Sequence, residues 1–203
     1  MAQGASGVTN STASRLVIDA GVLYKNIDIA SLEDGTASTP VADAQASGTL
    51  IGATRGGNTF TAGRTLREME ADGKLGPTKG FKRRETVEAT LQTNILEMTP
   101  SILADVLAGA DTETAGSFDK ITGGPVETTD YIDNIALFGT HTRGTDDTDA
   151  VVIVLENVLV MESPEFALED ENELVLPVTF NAHFDPTTPN TEPYAIYISS
   201  AVS

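Results

Sequence analysis

The chain reads as a mainly antiparallel β protein, a sandwich or a barrel, with one short flanking α-helix. Three observations point there. Strand-length runs of apolar or alternating residues recur along most of the sequence, separated by Gly, Pro, Asn and Asp. The longest, Lys82 to Ile95, alternates in the manner of a sheet with one dry and one wet face. Only one segment joins helix-start chemistry to an apolar stripe at helical spacing.

Met1 to Ser14 is small and polar and is expected to be a flexible N-terminal arm ahead of a single domain, residues 15–203. Arg15 to Asn26 predicts a strand interrupted near Gly21. Ala30 to Gly48 is rich in Ala, Ser, Thr and Asp without periodicity, which predicts a long loop. Thr49 to Ala53 predicts a short strand, and the glycines of Thr54 to Gly63 predict a second flexible segment. From Arg64 a hairpin is expected, turning at Asp72-Gly73-Lys74-Leu75-Gly76-Pro77 into the long strand. On that strand Lys82, Arg84, Thr86, Glu88, Thr90, Gln92 and Asn94 point one way, and Phe81, Val87, Ala89, Leu91 and Ile95 the other.

The helix follows. Thr99 suits an N-cap, Pro100 suits the first helical position, and Ile102, Leu103, Val106 and Leu107 form the stripe, with Gly109 placed to end it. The last third predicts strands only. They are Tyr131 to Thr140, then Ala150 to Met161, then Glu173 to Phe184 with Leu174, Leu176, Val178, Phe180, Ala182 and Phe184 inward, and Tyr194 to Ile198. Ala150 to Met161 is apolar on both faces except at Glu156 and Asn157, so it reads as one buried central strand or two short ones. Pro177 marks an edge or a bulge. The expected core includes Leu91, Ile102, Val106, Ile153, Val178 and Phe180.

At 203 residues with 40% hydrophobic content, one domain can bury a proper core. The absence of cysteine excludes disulfides and thiolate metal sites. No run of 18 apolar residues occurs, so no membrane-spanning helix is expected, and the N-terminus lacks secretory-signal chemistry. The net charge of -18 argues against binding nucleic acid through phosphate contacts. That charge is uneven. Arg64 to Arg84 carries seven basic residues (Arg64, Arg67, Lys74, Lys79, Lys82, Arg83, Arg84) against three acidic ones, net +4. Asp111 to Ser203 carries 18 acidic residues against two basic, net -16. The two halves either face each other within one fold or bring successive copies together head to tail.

Catalytic and metal constellations are not found. Residues 57–65 approach a phosphate loop, but the spacing is one residue too long and Arg64 stands where lysine is required. Asp146, Asp147 and Asp149 lack the glycine and terminal glutamate of a calcium loop and read as a solvated turn. His141 and His183 have no partner in the sequence, and Asn10-Ser11-Thr12 matches a glycosylation sequon of no weight without a signal. No enzyme, cofactor or metal is expected.

The order of motifs in LIGATRGGNTFTAGRTLREMEADGKLGPTKGFKRRETVEATLQTNILEMTPSILADVLAGA resembles the major tail tube protein of long-tailed bacteriophages. Asn134-Ile135-Ala136-Leu137 and the Val178 to Pro186 segment extend the resemblance over roughly residues 15–198. It implies the tail-tube β-barrel or sandwich, six-copy rings stacked into a hollow virion tube, and transient passage of double-stranded DNA at ejection. It implies further partners in tape measure, tail terminator and tail-tip proteins, and no membrane. Thr86, Glu88, Thr90, Gln92 and Asn94 then become lumen-lining candidates, and the seven basic residues of 64–84 become inter-ring or inter-subunit contacts, with Lys82 and Arg84 paired to carboxylates of the next ring. Another ring-forming component, a terminator or baseplate protein, shares such a fold. A β-sandwich binding module is the remaining alternative, disfavoured by 5% aromatics and no Trp.

Overall fold

A computed structural model describes residues 12, 16–34, 36–141, 150–168, 170 and 172–198. Apart from Thr12 the arm lies outside them, as do the Asp146–Asp149 segment and the His141 side chain. In chain order the elements are β1 (Val17–Lys25), α1 (Ile29–Glu33), α2 (Pro40–Ser47), β2 (Thr49–Leu50), β3 (Thr59–Glu68), β4 (Lys82–Ile95), α3 (Pro100–Val106), β5 (Ala110–Ala115), β6 (Phe118–Gly123), β7 (Ile132–His141), β8 (Ala150–Val160), β9 (Leu176–Ala182) and β10 (Tyr194–Ile198). Eight strands share one sheet in the order β2-β1-β7-β8-β9-β4-β3, with β10 added on β8, and β5 and β6 form a separate hairpin. Every pairing is antiparallel.

The sheet curls over its own core. Leu91 and Ile95 of β4 and Val178 and Phe180 of β9 share one buried cluster with Leu23, Ile135 and Leu155 from the other half of the sheet. Ile102 and Val106 of α3 complete it. The segment after β2 stitches the two halves together. Ile51 N donates to Leu23 O at 2.9 Å, Leu96 N to Ala53 O at 2.9 Å, and Arg55 N to Asn94 O at 2.9 Å. The ladder goes no further and β3 remains a terminal strand, so the architecture is a half-closed sandwich and not a barrel.

Three α-helices occur among the described residues, where the sequence predicts one. The expected loop at 30–48 holds α1 and α2, whose Ile29, Leu32, Val41 and Ala44 cover Ala136, Phe138, Val152 and Val154. Asp28 caps α1 by accepting from Ala30 N at 3.1 Å. Each helix is too short to display a period, and its apolar residues are small or sparse, so the sequence hides them. Helix α3 forms as expected, with Thr99 Oγ1 accepting from Ile102 N at 3.2 Å and Pro100 in the first turn. The β5–β6 hairpin is unanticipated; only Ala110 and Ile121 in it are partly buried, and polar residues stand on both of its faces.

Strand β8 is central and buried on both sides, which explains its nearly unbroken apolar sequence. Its Glu156-Asn157 interruption is a change of neighbour within one strand. Residues Val151–Leu155 pair with β10 and Val158–Val160 with β9. Asn157 takes φ 50 at the junction. Its side chain donates to His183 O at 3.3 Å while His183 Nδ1 lies 3.1 Å from Asn157 O, clasping the bend. Pro177 sits on β9 beyond the reach of β8, where one side of the strand has no ladder to supply. In β1 the predicted interruption is a register shift between Ile18 and Val22. Gly21 at φ 76 permits it, and a Cβ there would meet Leu137 Cδ1 at 2.5 Å.

Three burial expectations need correction. Ile153 is half-buried, because its row-mates Leu137 and Ile196 also reach solvent at the core margin. Phe184 is 36% exposed, since β9 ends at Ala182 and the inward alternation ends with it. Leu174, before the strand begins, is half-buried for the same reason. Leu91, Ile102, Val106, Val178 and Phe180 are buried.

Two polar ties anchor the layers. Lys25 on β1 pairs with Asp105 on α3 and also donates to Ser101 Oγ at 3.0 Å. Burial pushes the Asp105 carboxyl up, against the pull of Lys25. Asn134 on β7 is buried; its Oδ1 accepts from Ile27 N at 2.8 Å and its Nδ2 donates to Ile27 O at 3.0 Å. It thus satisfies both backbone groups of Ile27, where the chain leaves β1 for α1. Asn134→Ala orphans them, so urea denaturation is expected to show a loss of about 1–3 kcal/mol. An unchanged midpoint would contradict this role.

Candidate functional site

Strands β3 and β4 form a ribbon longer than the body it grows from. Near the body, β4 packs its Val87, Ala89, Leu91, Thr93 and Ile95 face into the core. Beyond Val87, residues Lys82–Thr86 are exposed on both faces, and β3 is exposed everywhere except at Phe60 and Glu68. Among the described residues the outer edge of β3 has no neighbour strand. The expectation of a flexible segment at 54–63 fails in its second half, because Thr59 to Gly63 are already β3, paired with Gln92 to Glu88.

The wet face is built across three strands. Thr59, Thr61, Gly63 and Thr65 stand opposite Gln92, Thr90, Glu88 and Thr86. Thr90 and Gln92 in turn face Asn181 and Thr179 of β9. Paired residues share a face, so Thr86, Glu88, Thr90, Gln92 and Asn94 lie together on one polar surface with a single carboxylate and no aromatic ring. At its inner end Glu162 accepts from Thr179 Oγ1 at 3.1 Å. There a polar cavity of about 400 Å³ opens between Gln92, Asn94, Thr179 and Pro164.

One expectation about this face is overturned. Thr65 pairs with Thr86, but Leu66 pairs with Arg84, so β4 carries one extra residue at Glu85. A bulge of this kind reverses the alternation beyond it. Lys82 and Arg84 therefore stand on the side of Val87, and Arg67 and Arg83, directly paired, take the polar side. A sequence read with strict alternation has no means of seeing the extra residue. Phe81 leaves the dry face as well and lies under Lys74, 5.5 Å from ring to Nζ.

The basic residues divide into two groups. Arg64 donates to Glu192 at 2.7 Å and to Tyr194 Oη at 2.9 Å, and Arg84 donates to Glu192 at 2.6 Å. In the single copy their carboxylate thus comes from the segment leading into β10 of the same chain. Tyr194 also packs on Phe60, with ring centroids 5.6 Å apart. Burial pushes the Glu192 carboxyl up, but Tyr194 and the two guanidiniums outweigh it and hold it below its ordinary value. Lys74 pairs with Glu68 inside the turn. Arg67, Lys79, Lys82 and Arg83 are exposed and make no ion pair among the described residues. Glu192 is the residue sequence reasoning missed, since a lone carboxylate in a turn carries no pattern.

No group of three or more His, Asp or Glu side chains arranged for a metal occurs among the described residues. No known protein family and no curated protein matches the chain. Among solved structures, it is similar to a chain in the virion of a native gene transfer agent particle, at TM-score 0.39 and 9% identity over 89% of this chain and 96% of that one. A chain from the tail of an empty gene transfer agent particle, refined with C6 symmetry, gives TM-score 0.38 and 8% identity over 89% and 96%. An Hcp protein gives TM-score 0.30 and 9% identity over 79% and 86%.

The Glu192 clamp fixes how the ribbon leaves the body. Glu192→Gln is expected to keep the far-ultraviolet spectrum and to speed limited trypsin cleavage between Arg67 and Arg84 several-fold. Because the folded carboxyl titrates below its ordinary value, the clamp is present above the ordinary glutamate range and lost as pH falls through the folded value. Acidification should therefore loosen the native ribbon and leave the Gln variant unchanged; equal cleavage of both proteins would contradict the clamp.

Proposed function

We propose that the chain is the structural subunit of a phage-type tail tube. Six copies form a ring, rings stack into the hollow tube of a virion tail, and genomic DNA passes through it at ejection. The order of motifs from Leu50 to Ala110 supports this reading, and one structural observation carries it: the β3–β4 ribbon is unfinished in a single copy. A two-stranded ribbon wet on both faces is marginal alone, and a long free edge invites another strand. A second copy supplies what is missing.

In this reading the Thr86, Glu88, Thr90, Gln92 and Asn94 face lines the channel. Hydroxyls and amides there offer neither phosphate pairing nor base stacking, so DNA would slide without being gripped. Tape measure, terminator and tail-tip proteins would meet the tube inside and at its ends. The role is mechanical and asks no catalytic group of the chain.

Negative-stain electron microscopy across protein and salt concentration tests it. Long hollow tubes of stacked rings are expected. Single rings at every condition would shift the reading to a terminator, and monomer at every condition would reject self-assembly.

A further inference from the structure

The tip of the ribbon is a charged and apolar knob with no use inside its own chain. Arg67 and Arg83 are direct cross-strand neighbours, a like-charge pairing that costs stability unless an anion sits between them. Together with Glu68, Met69 and Glu70 they border one concavity. Glu68 is taken by Lys74, and Glu70 makes no ion pair among the described residues. Met69, on its border, is 46% exposed, and Leu66 and Leu75, elsewhere on the same end of the ribbon, are 55% and 105% exposed.

The opposite end of the ribbon carries the complement. The segment from Met161 to Glu173 exposes Met161, Phe166 and Leu168 at 70%, 43% and 84%, interleaved with Glu162, Glu165, Asp170 and Glu173. Glu162 is anchored on Thr179 and Glu173 on Arg55 at 3.2 Å, both beside the Gln92–Asn94 end of β4. Glu165 and Asp170 make no ion pair among the described residues. Ten residues of strand separate Lys82 at the tip from Gln92, roughly 33 Å at the usual rise. The tip of one copy therefore cannot reach its own acidic segment.

We propose that the Arg67–Arg83 tip docks on the Met161–Leu168 stretch and Asp170 of a second copy, with a carboxylate of Glu165 or Asp170 between the two guanidiniums and the exposed Met and Leu side chains covering one another. This rests on the tail-tube reading and names the contact that joins successive copies along the ribbon axis. Donor and acceptor surfaces sit at opposite ends of one molecule. The contact is heterologous and leaves a fresh end after each addition, as an open stack requires. Opposite charges at the two ends also steer the approach.

The chain has no cysteine, which permits a clean test. Leu75→Cys and Leu168→Cys are exposed positions that leave the core intact. Under oxidation, a mixture of the two single variants is expected to give 75–168 heterodimers, and the double variant a ladder of covalent oligomers. Arg67→Glu with Arg83→Glu should remove the cross-link at least tenfold, and Glu165→Arg with Asp170→Arg in the partner copy should restore it. Cross-links confined to 75–75 or 168–168, or no rescue by the swap, would overturn the proposal. Folded Cys variants that never cross-link would overturn it too. Microscopy separates this from the underlying reading: tubes without the 75–168 link reject the contact alone, and a ladder without tubes rejects the tube while keeping the contact.

Discussion

The structure depends on a mismatch between one strand and the core that supports it. Strand β4 runs from Lys82 to Ile95, but only its Val87–Ile95 part has a dry face to bury. The supported part closes the fold, joining β9, α3 and the 51–55 stitch over the main cluster. The unsupported part drags β3 and its turn into water. Hydrophobic burial cannot hold that ribbon in place, so polar contacts do. The bulge at Glu85 turns Arg84 to the side of Arg64, and Glu192 clamps both to the strand that follows it. The three features form one device: a bulge that aims a side chain, a carboxylate that catches it, and a ribbon held at a fixed angle without a core.

The rest of the sheet follows different rules. Strands β7 and β8 are buried on both faces, one by α3 and the curled half of the sheet, the other by α1 and α2. Their sequences are mainly apolar; the buried Asn134 is consumed by the backbone of Ile27, and Glu156-Asn157 mark the bend in β8. The contrast between a twice-covered centre and an uncovered margin places the chemistry of the molecule at its edge. The unequal charge of the chain follows the same division, with unpaired guanidiniums at the ribbon tip and carboxylates at its root.

The sequence disclosed most where a single period held over many residues. The inward Val87, Ala89, Leu91 and Ile95 and the Thr99 cap with Pro100 follow from alternation and capping alone. It failed where a local event broke the period. The extra residue at Glu85 reversed the assignment of Lys82 and Arg84, and no composition signal announces a bulge. Helices α1 and α2 were hidden by length: five and eight residues cannot show a stripe, and what makes them helical is the apolar surface of β7 and β8 beneath them. Glu192 was invisible because its role is set by two arginines more than a hundred residues away in the chain.

The central claim is that the ribbon is incomplete in one copy and completed by others. Residue-resolved amide hydrogen exchange along Thr59–Glu68 addresses it directly, comparing dispersed monomer with assembled protein. In the monomer, amides directed at β4 should be protected and the alternate amides on the free edge should exchange rapidly; in the assembly both sets should be slow. Equal and rapid exchange of the outer amides in both states would mean that neighbours leave the edge uncovered, and would contradict the account.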